Sequence, residues 1–307
     1  MASSFSPAVL AVVSLLGASG AFAQAAADPG PAPAQAQAVA STAPQPSGAE
    51  PAQAKDAAES SLSPECRVPG SKLYTLAPLK AMKHALKENR PLQVLAIGSS
   101  STAGVGASSP LASYPMRLEG ELEKLFPGVE IEVVNRGLSG EVASGAADRM
   151  KNTIAEVEPD LVIWQVGTND ALARVDIETF AQSLDETIKW IASHRIDVVL
   201  VDPQYTASLA KDDYYARIVK VIQEVAEKDR VPLVQRFEAM RYLSTQKVGG
   251  VYLARDQFHL NDLGYRCMAE HVARAVTVAL LQPDQALSVS PKATATGSTA
   301  PAPVPGQ

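Results

Sequence analysis

Two short stretches carry residue types that together could break an acyl bond. Ser99, Ser100 and Ser101 follow the apolar run Leu92-Gln-Val-Leu-Ala-Ile97 and the turn residue Gly98, and Asp256-Gln-Phe-His259 lies far downstream. A serine hydroxyl is a weak nucleophile until a base takes its proton, so the histidine gives the cluster chemical meaning. An aspartate three residues before that histidine could fix its tautomer. Between them, Gly140 and Asn169 sit in turn-like segments and could direct N–H donors at the oxyanion of a tetrahedral intermediate. Each has a plainer reading when taken singly. The Ser/Thr/Gly cluster reads as a polar loop capping the next helix, Gly140 and Asn169 as turn residues, and Asp256 as a helix cap. Ser99, Ser101 and Ser139 are rival nucleophiles.

Positioning these groups requires loops that gather at one edge. Leu92 to Ile97, Glu130 to Val134, Asp160 to Trp164, Val198 to Val201 and Pro232 to Val234 are apolar runs of strand length. Segments with helical spacing separate or flank them: Pro78 to Glu88, Tyr114 to Phe126, Ala143 to Val157, Ile177 to Ser193 and Tyr214 to Lys228. Strands alternating with helices predict an α/β fold: one three-layer α/β/α domain with helices on both faces of a parallel sheet of about five strands. Right-handed crossovers then put the strand-end loops holding Ser100, Gly140 and Asn169 on one edge, with Asp256 to His259 expected beside them. Asp202-Pro-Gln-Tyr205 ends another strand, so Gln204 and Tyr205 are candidates to line the pocket, against the reading of a plain loop. Trp164 reads as core, and His84, His194 and His271 as helix-borne packing or surface residues.

The ends of the 307-residue chain have a different composition. Residues 1–23 carry a short apolar core ending in Ala21-Phe22-Ala23, the pattern of a secretory signal, although no basic residue precedes it. That core is too short, and too interrupted by glycine, to span a bilayer comfortably, so no stable membrane insertion is expected after cleavage. Residues 24–65 are rich in Ala, Pro and Gln and cannot bury enough surface to offset their ordering entropy; they predict a disordered linker, and 283–307 a disordered tail. This leaves residues 66–282 as one folded domain and predicts a periplasmic or secreted protein. In an oxidising compartment Cys66 and Cys267 would form a disulfide, the alternative being two buried thiols. With no CxxC and no Cys/His cluster, neither a metal nor a cofactor is expected. The formal charge of −6 without a basic patch argues against nucleic acid and leaves small molecules or neutral polymers as partners.

Four separated blocks resemble those of the SGNH, or GDSL-type, hydrolase superfamily, in order and in context. Gly98-Ser-Ser-Ser-Thr102 is similar to the first block, Asn135-Arg-Gly-Leu-Ser-Gly140 to the second, Gly167-Thr-Asn-Asp170 to the third, and Asp256-Gln-Phe-His259 with Leu-Asn-Asp-Leu-Gly-Tyr265 to the last. The resemblance implies a flavodoxin-like order for the five-stranded sheet, a Ser100, His259, Asp256 triad and an oxyanion hole made by Ser100, Gly140 and Asn169. Ser99 stands where this superfamily usually has aspartate, so the hydrogen bonding of that turn must differ. The implied activity is hydrolysis of carboxylic esters, on a small molecule or on O-acyl or O-acetyl groups of carbohydrate. Transfer of the acyl group to a sugar hydroxyl by the same site, or non-catalytic carbohydrate binding on this scaffold, are the alternatives. The residue after Ser101 is Thr102, so the G-x-S-x-G elbow of the α/β-hydrolases is absent. Nothing in the sequence points to an oligomeric state.

Overall fold

A computed structural model describes residues 62–246 and 251–284. The expected signal peptide, linker residues 24–61 and tail residues 285–307 lie outside the described residues. Four residues expected in the linker are packed against the domain. Leu62 is 4% exposed and packs into the core, and Ser63 donates from its N–H and its hydroxyl to the Glu270 carboxylate, so residues 62–65 belong to the domain and not to a linker. At the other end Asp284 still pairs with Lys83.

The apolar runs form the strands β2 (Leu92–Gly98), β3 (Ile131–Gly137), β4 (Leu161–Gln165), β5 (Asp197–Val201) and β6 (Leu233–Val234), preceded by a two-residue strand β1 (Tyr74–Thr75). Their order across the sheet is β1-β6-β5-β4-β2-β3; β1 pairs antiparallel with β6 and all other pairs are parallel. The five parallel strands thus follow the flavodoxin-like order, and β1 is an added edge that is too short to leave a periodic signal. Val94 and Ala96 of β2 enter the core on one face of the sheet, while Leu95 and Ile97 enter the core on the other. Burial on both faces explains why β2 is an almost unbroken apolar run rather than an alternating one.

The helices are α1 (Lys80–Lys87), α2 (Ser100–Ala103), α3 (Tyr114–Leu125), α4 (Ala143–Val157), α5 (Thr168–Leu172), α6 (Ile177–Ser193), α7 (Asp213–Asp229), α8 (Arg236–Ser244) and α9 (Asp262–Leu280). α2 and α5 are single turns directly after β2 and β4, below the length at which periodicity can be read. The chain leaves β2 for β3 on one side and then returns past it to β4 on the other. The crevice above β2 and β4 is therefore the topological switch point, where ligands bind in folds of this kind. A Cys66–Cys267 disulfide ties the start of the domain to α9 across 201 residues. Among the described residues no helix is long and apolar enough to cross a membrane.

Candidate active site

Ser100 is the first residue of α2, set on the switch-point crevice by the end of β2. Its Oγ lies 3.0 Å from His259 Nε2, and His259 Nδ1 lies 2.6 Å from Asp256 Oδ2. The three residues expected to act together are thus in bonding sequence. Ser99 is 6% exposed and donates its hydroxyl to Gln165 Oε1, and Ser101 is 2% exposed, so both neighbours of Ser100 face inward. Ser139 is exposed, and among the described residues it has no imidazole partner. Gln165 answers what replaces the missing aspartate: its side-chain oxygen accepts from both the N–H and the hydroxyl of Ser99.

The histidine reaches Ser100 because its loop is folded on itself and pinned to the serine loop. Leu253 and Leu260 form an antiparallel bridge, and the Ala254 N–H donates to the His259 carbonyl. Asp256 Oδ1 accepts the N–H groups of Phe258 and His259 at 3.0 Å each, leaving Oδ2 for the imidazole. The hydrogen bond from His259, with those backbone donors, holds the Asp256 carboxyl below its ordinary range, so it stays ionised. Asn261, at the N-cap of α9, donates to the Val251 and Leu253 carbonyls, and the Asp262 carboxylate accepts from Ser108. Tyr265 donates its hydroxyl to the Val105 carbonyl. Gly106 allows the two loops to close: at φ +95°, a Cβ there would stand 2.5 Å from the Leu260 carbonyl oxygen and 3.1 Å from His259 Cβ.

The N–H donors expected to face an oxyanion come from three segments. As the first helical N–H, that of Ser100 has no intrahelical acceptor. Neither it nor the N–H of Gly140 has a hydrogen-bond partner among the described residues. Gly140 is left-handed, at φ +82°, in the exposed turn after β3, a conformation that favours glycine. Asn169 gives one amide hydrogen to the Glu141 carbonyl at 2.8 Å, which fixes the side chain and leaves its second hydrogen available. The Glu141 carboxylate, in turn, takes two 2.6 Å hydrogen bonds from Arg149, whose guanidinium also donates to the Arg136 carbonyl. Asp170, 1% exposed, accepts the Ala143 N–H at the start of α4, and burial raises its carboxyl above the ordinary value.

One expected site residue is corrected. Gln204 is 2% exposed, and its Oε1 accepts from Thr168 and Arg236, so it braces loops from beneath instead of offering a surface to substrate. Tyr205 is half-buried, edge-on to Phe237 with ring centroids 5.4 Å apart. Trp164 is fully buried, His271 is 4% exposed and bonded to the Cys66 carbonyl, and His84 pairs with Glu88. Gln165, Glu141, Arg149 and Asp170 were not anticipated. The one visible signal was Gln165, a polar residue closing the otherwise apolar strand β4. Among the described residues no group of three His, Cys, Asp or Glu is arranged to hold a metal.

The sequence profile of the non-GDSL lipase-like family matches residues 65–282, well over half of the chain. The chain belongs to that family. It is an SGNH/GDSL-type hydrolase acting on ester bonds. An acetylxylan esterase of Geobacillus stearothermophilus is 25% identical over 197 residues, covering 58% of this chain and 88% of that protein. The esterase TesA of Pseudomonas aeruginosa is 26% identical over 161 residues, covering 52% and 73%. A solved two-domain esterase active on acetylated mannans superposes with a TM-score of 0.58 at 20% identity, over 70% of this chain and 58% of that one. This family member therefore spans less than two thirds of that two-domain protein, and the likeness concerns the fold.

Proposed function

We propose that the chain hydrolyses carboxylic esters through an acyl intermediate on Ser100, with O-acetyl groups of carbohydrate as the substrate class. The observation that carries this is the unbroken relay from Ser100 Oγ to His259 Nε2 (3.0 Å) and from His259 Nδ1 to Asp256 (2.6 Å). His259 takes the hydroxyl proton as Ser100 attacks the ester carbonyl. The N–H groups of Ser100 and Gly140 and the free amide hydrogen of Asn169 receive the oxyanion, each such donor being worth a few kcal/mol in the transition state. His259 then protonates the departing alkoxide, which leaves as the alcohol. A water, deprotonated by the same imidazole, cleaves the acyl-serine to release the acid and restore the hydroxyl. Asp256 keeps Nδ1 protonated throughout. The carbohydrate part of the reading draws support from relatives named for acetylxylan and acetylated mannans.

The test is hydrolysis of p-nitrophenyl acetate and release of acetate from acetylated xylo- and manno-oligosaccharides, with Ser100→Ala as control. Expected is turnover of both that the variant lacks; turnover of the aryl ester without acetate release would end the carbohydrate assignment. Equal activity of the variant would end the mechanism. We also propose export, on the strength of residues 1–23, and a domain confined to roughly 62–284. Sequencing the amino terminus of protein recovered from the periplasm or medium tests the first, and limited proteolysis tests the second.

A further inference from the structure

Beneath the oxyanion side lies a cation that hydrolysis does not use directly. Arg236 is 2% exposed and opens α8 immediately after β6, at the edge of the sheet where the catalytic loops gather. Its Nε donates to the Asp202 carbonyl at 3.1 Å, its Nη2 to Gln204 Oε1 at 2.8 Å, and its Nη1 faces Met268 Sδ of α9 at 3.6 Å. The Asp202 carboxylate, fully buried, accepts the Phe237 N–H at 2.8 Å. Gln204 Oε1 also accepts the hydroxyl of Thr168, at 2.9 Å, and the Gln204 carbonyl accepts the hydroxyl of Tyr215. Thr168 is 3% exposed and is the residue before Asn169. One guanidinium therefore joins the ends of β5 and β6 to the turn that presents the Asn169 amide, and touches the helix that follows the His259 loop.

Burying a cation is costly, and an apolar side chain of the same volume would fill this space more cheaply. What the planar fork supplies is direction: its donors point at fixed angles, and each goes to a different segment. Asn169 is held on three sides, through Asp170 to the start of α4, through its own amide to Glu141, and through Thr168 to Gln204, the one hold that runs back to Arg236. An oxyanion donor contributes fully only if it is already aimed before the charge develops.

We propose that Arg236, acting through Gln204 and Thr168, is a positioning residue for the Asn169 oxyanion donor. The proposal rests on the hydrolytic reading above, in which Asn169 faces the oxyanion. Thr168→Val is nearly isosteric and removes only the hydroxyl that grips Gln204. Arg236→Lys keeps a nitrogen donor but loses the fork, and serves as the second variant should the first fail to fold. Both are measured with p-nitrophenyl acetate in the wild-type and Asn169→Ala backgrounds. Each is expected to lower kcat about tenfold with KM within about twofold and an unmoved acid limb of the pH profile, because the His259 relay is untouched. In the Asn169→Ala background each is expected to cost less than about twofold, since residues acting through one group are not additive. A folded variant with wild-type kcat, or the same tenfold loss in both backgrounds, would overturn the proposal. A wild-type kcat for Asn169→Ala itself would instead remove the assignment of Asn169, so the two failures are told apart.

Discussion

The two loop regions that meet over Ser100 are held by different means. On the side proposed to receive the oxyanion, Asn169 and the Gly140 turn are strapped by side chains that link separate elements: Arg149 on Glu141, Gln204 on Thr168, Asp170 on the start of α4. On the acid–base side, Asp256 and His259 are three residues apart and share one loop, with the carboxylate capping backbone N–H groups of that same loop. The Asp256 side chain is 46% exposed, whereas the Glu141 side chain is 6% exposed. The comparison teaches that donors from separate strands are aimed by buried side-chain cross-links, while the Asp256–His259 pairing is set within one loop, whose place beside Ser100 is then fixed from the start of α9 by Asn261, Asp262 and Tyr265.

The largest effect that bears on this contrast is His259→Ala. It is expected to lower kcat on p-nitrophenyl acetate by about a thousandfold or more while leaving the thermal unfolding midpoint nearly unchanged, because the loop is closed by backbone bonds that the ring does not make. A large drop in the midpoint would mean that the acid–base loop depends on the His259 ring for its fold. Asn169→Ala is expected to cost about a hundredfold in kcat, the scale of one lost oxyanion donor. A loss below about threefold would break the oxyanion half of the comparison.

The two sides should also respond to pH with opposite sign. Burial lowers His271, which supports the α9 side through the Cys66 carbonyl, from the ordinary imidazole value of 6.5 to about 4. The fold therefore disfavours its charged form. That stabilisation is complete above pH 6.5 and is lost as pH falls through about 4, a change of about 3 kcal/mol at most. Burial raises Asp202, under the oxyanion side, from 3.8 to about 7. Its neutral form is the one the fold favours, so its contribution is present below pH 3.8 and is lost as pH rises through about 7. Over the shared window of about pH 4 to 7 the two contributions have opposite slopes, so in urea unfolding His271→Gln should make stability rise less with pH and Asp202→Asn should make it rise more; a parallel shift by either variant would contradict the assignment.

The smallest effect belongs to Glu141→Gln. It weakens the clasp on Arg149 while keeping the backbone carbonyl that holds Asn169, and is expected to lower kcat by about tenfold or less with a stability loss of about 1–2 kcal/mol. A loss as large as that of Asn169→Ala would show that the clasp, and not the carbonyl, sets the donor.

The same contrast explains what could be read from the sequence. The β2 strand, the serine turn and Asp256-Gln-Phe-His259 were legible because each is a local pattern: an apolar run ending in glycine, or two chemical groups three residues apart. Parallel pairing followed from strand–helix alternation, and the flavodoxin-like order from the resemblance to the SGNH hydrolases. The straps were not legible, since Arg149 and Glu141 are eight residues apart and Thr168 and Gln204 thirty-six, with nothing local to pair them. Gln204 was misread for that reason: a polar residue at a strand end looks like a pocket residue until its partners are known. β1 and α2 were missed because two- and four-residue elements have no period.

The most direct test of the central claim is labelling with a fluorophosphonate followed by peptide mass spectrometry. The account predicts one adduct, on Ser100, that forms in the wild type and is lost in both Ser100→Ala and His259→Ala. An adduct on Ser99, Ser101 or Ser139, or labelling of Ser100 undiminished without His259, would contradict it.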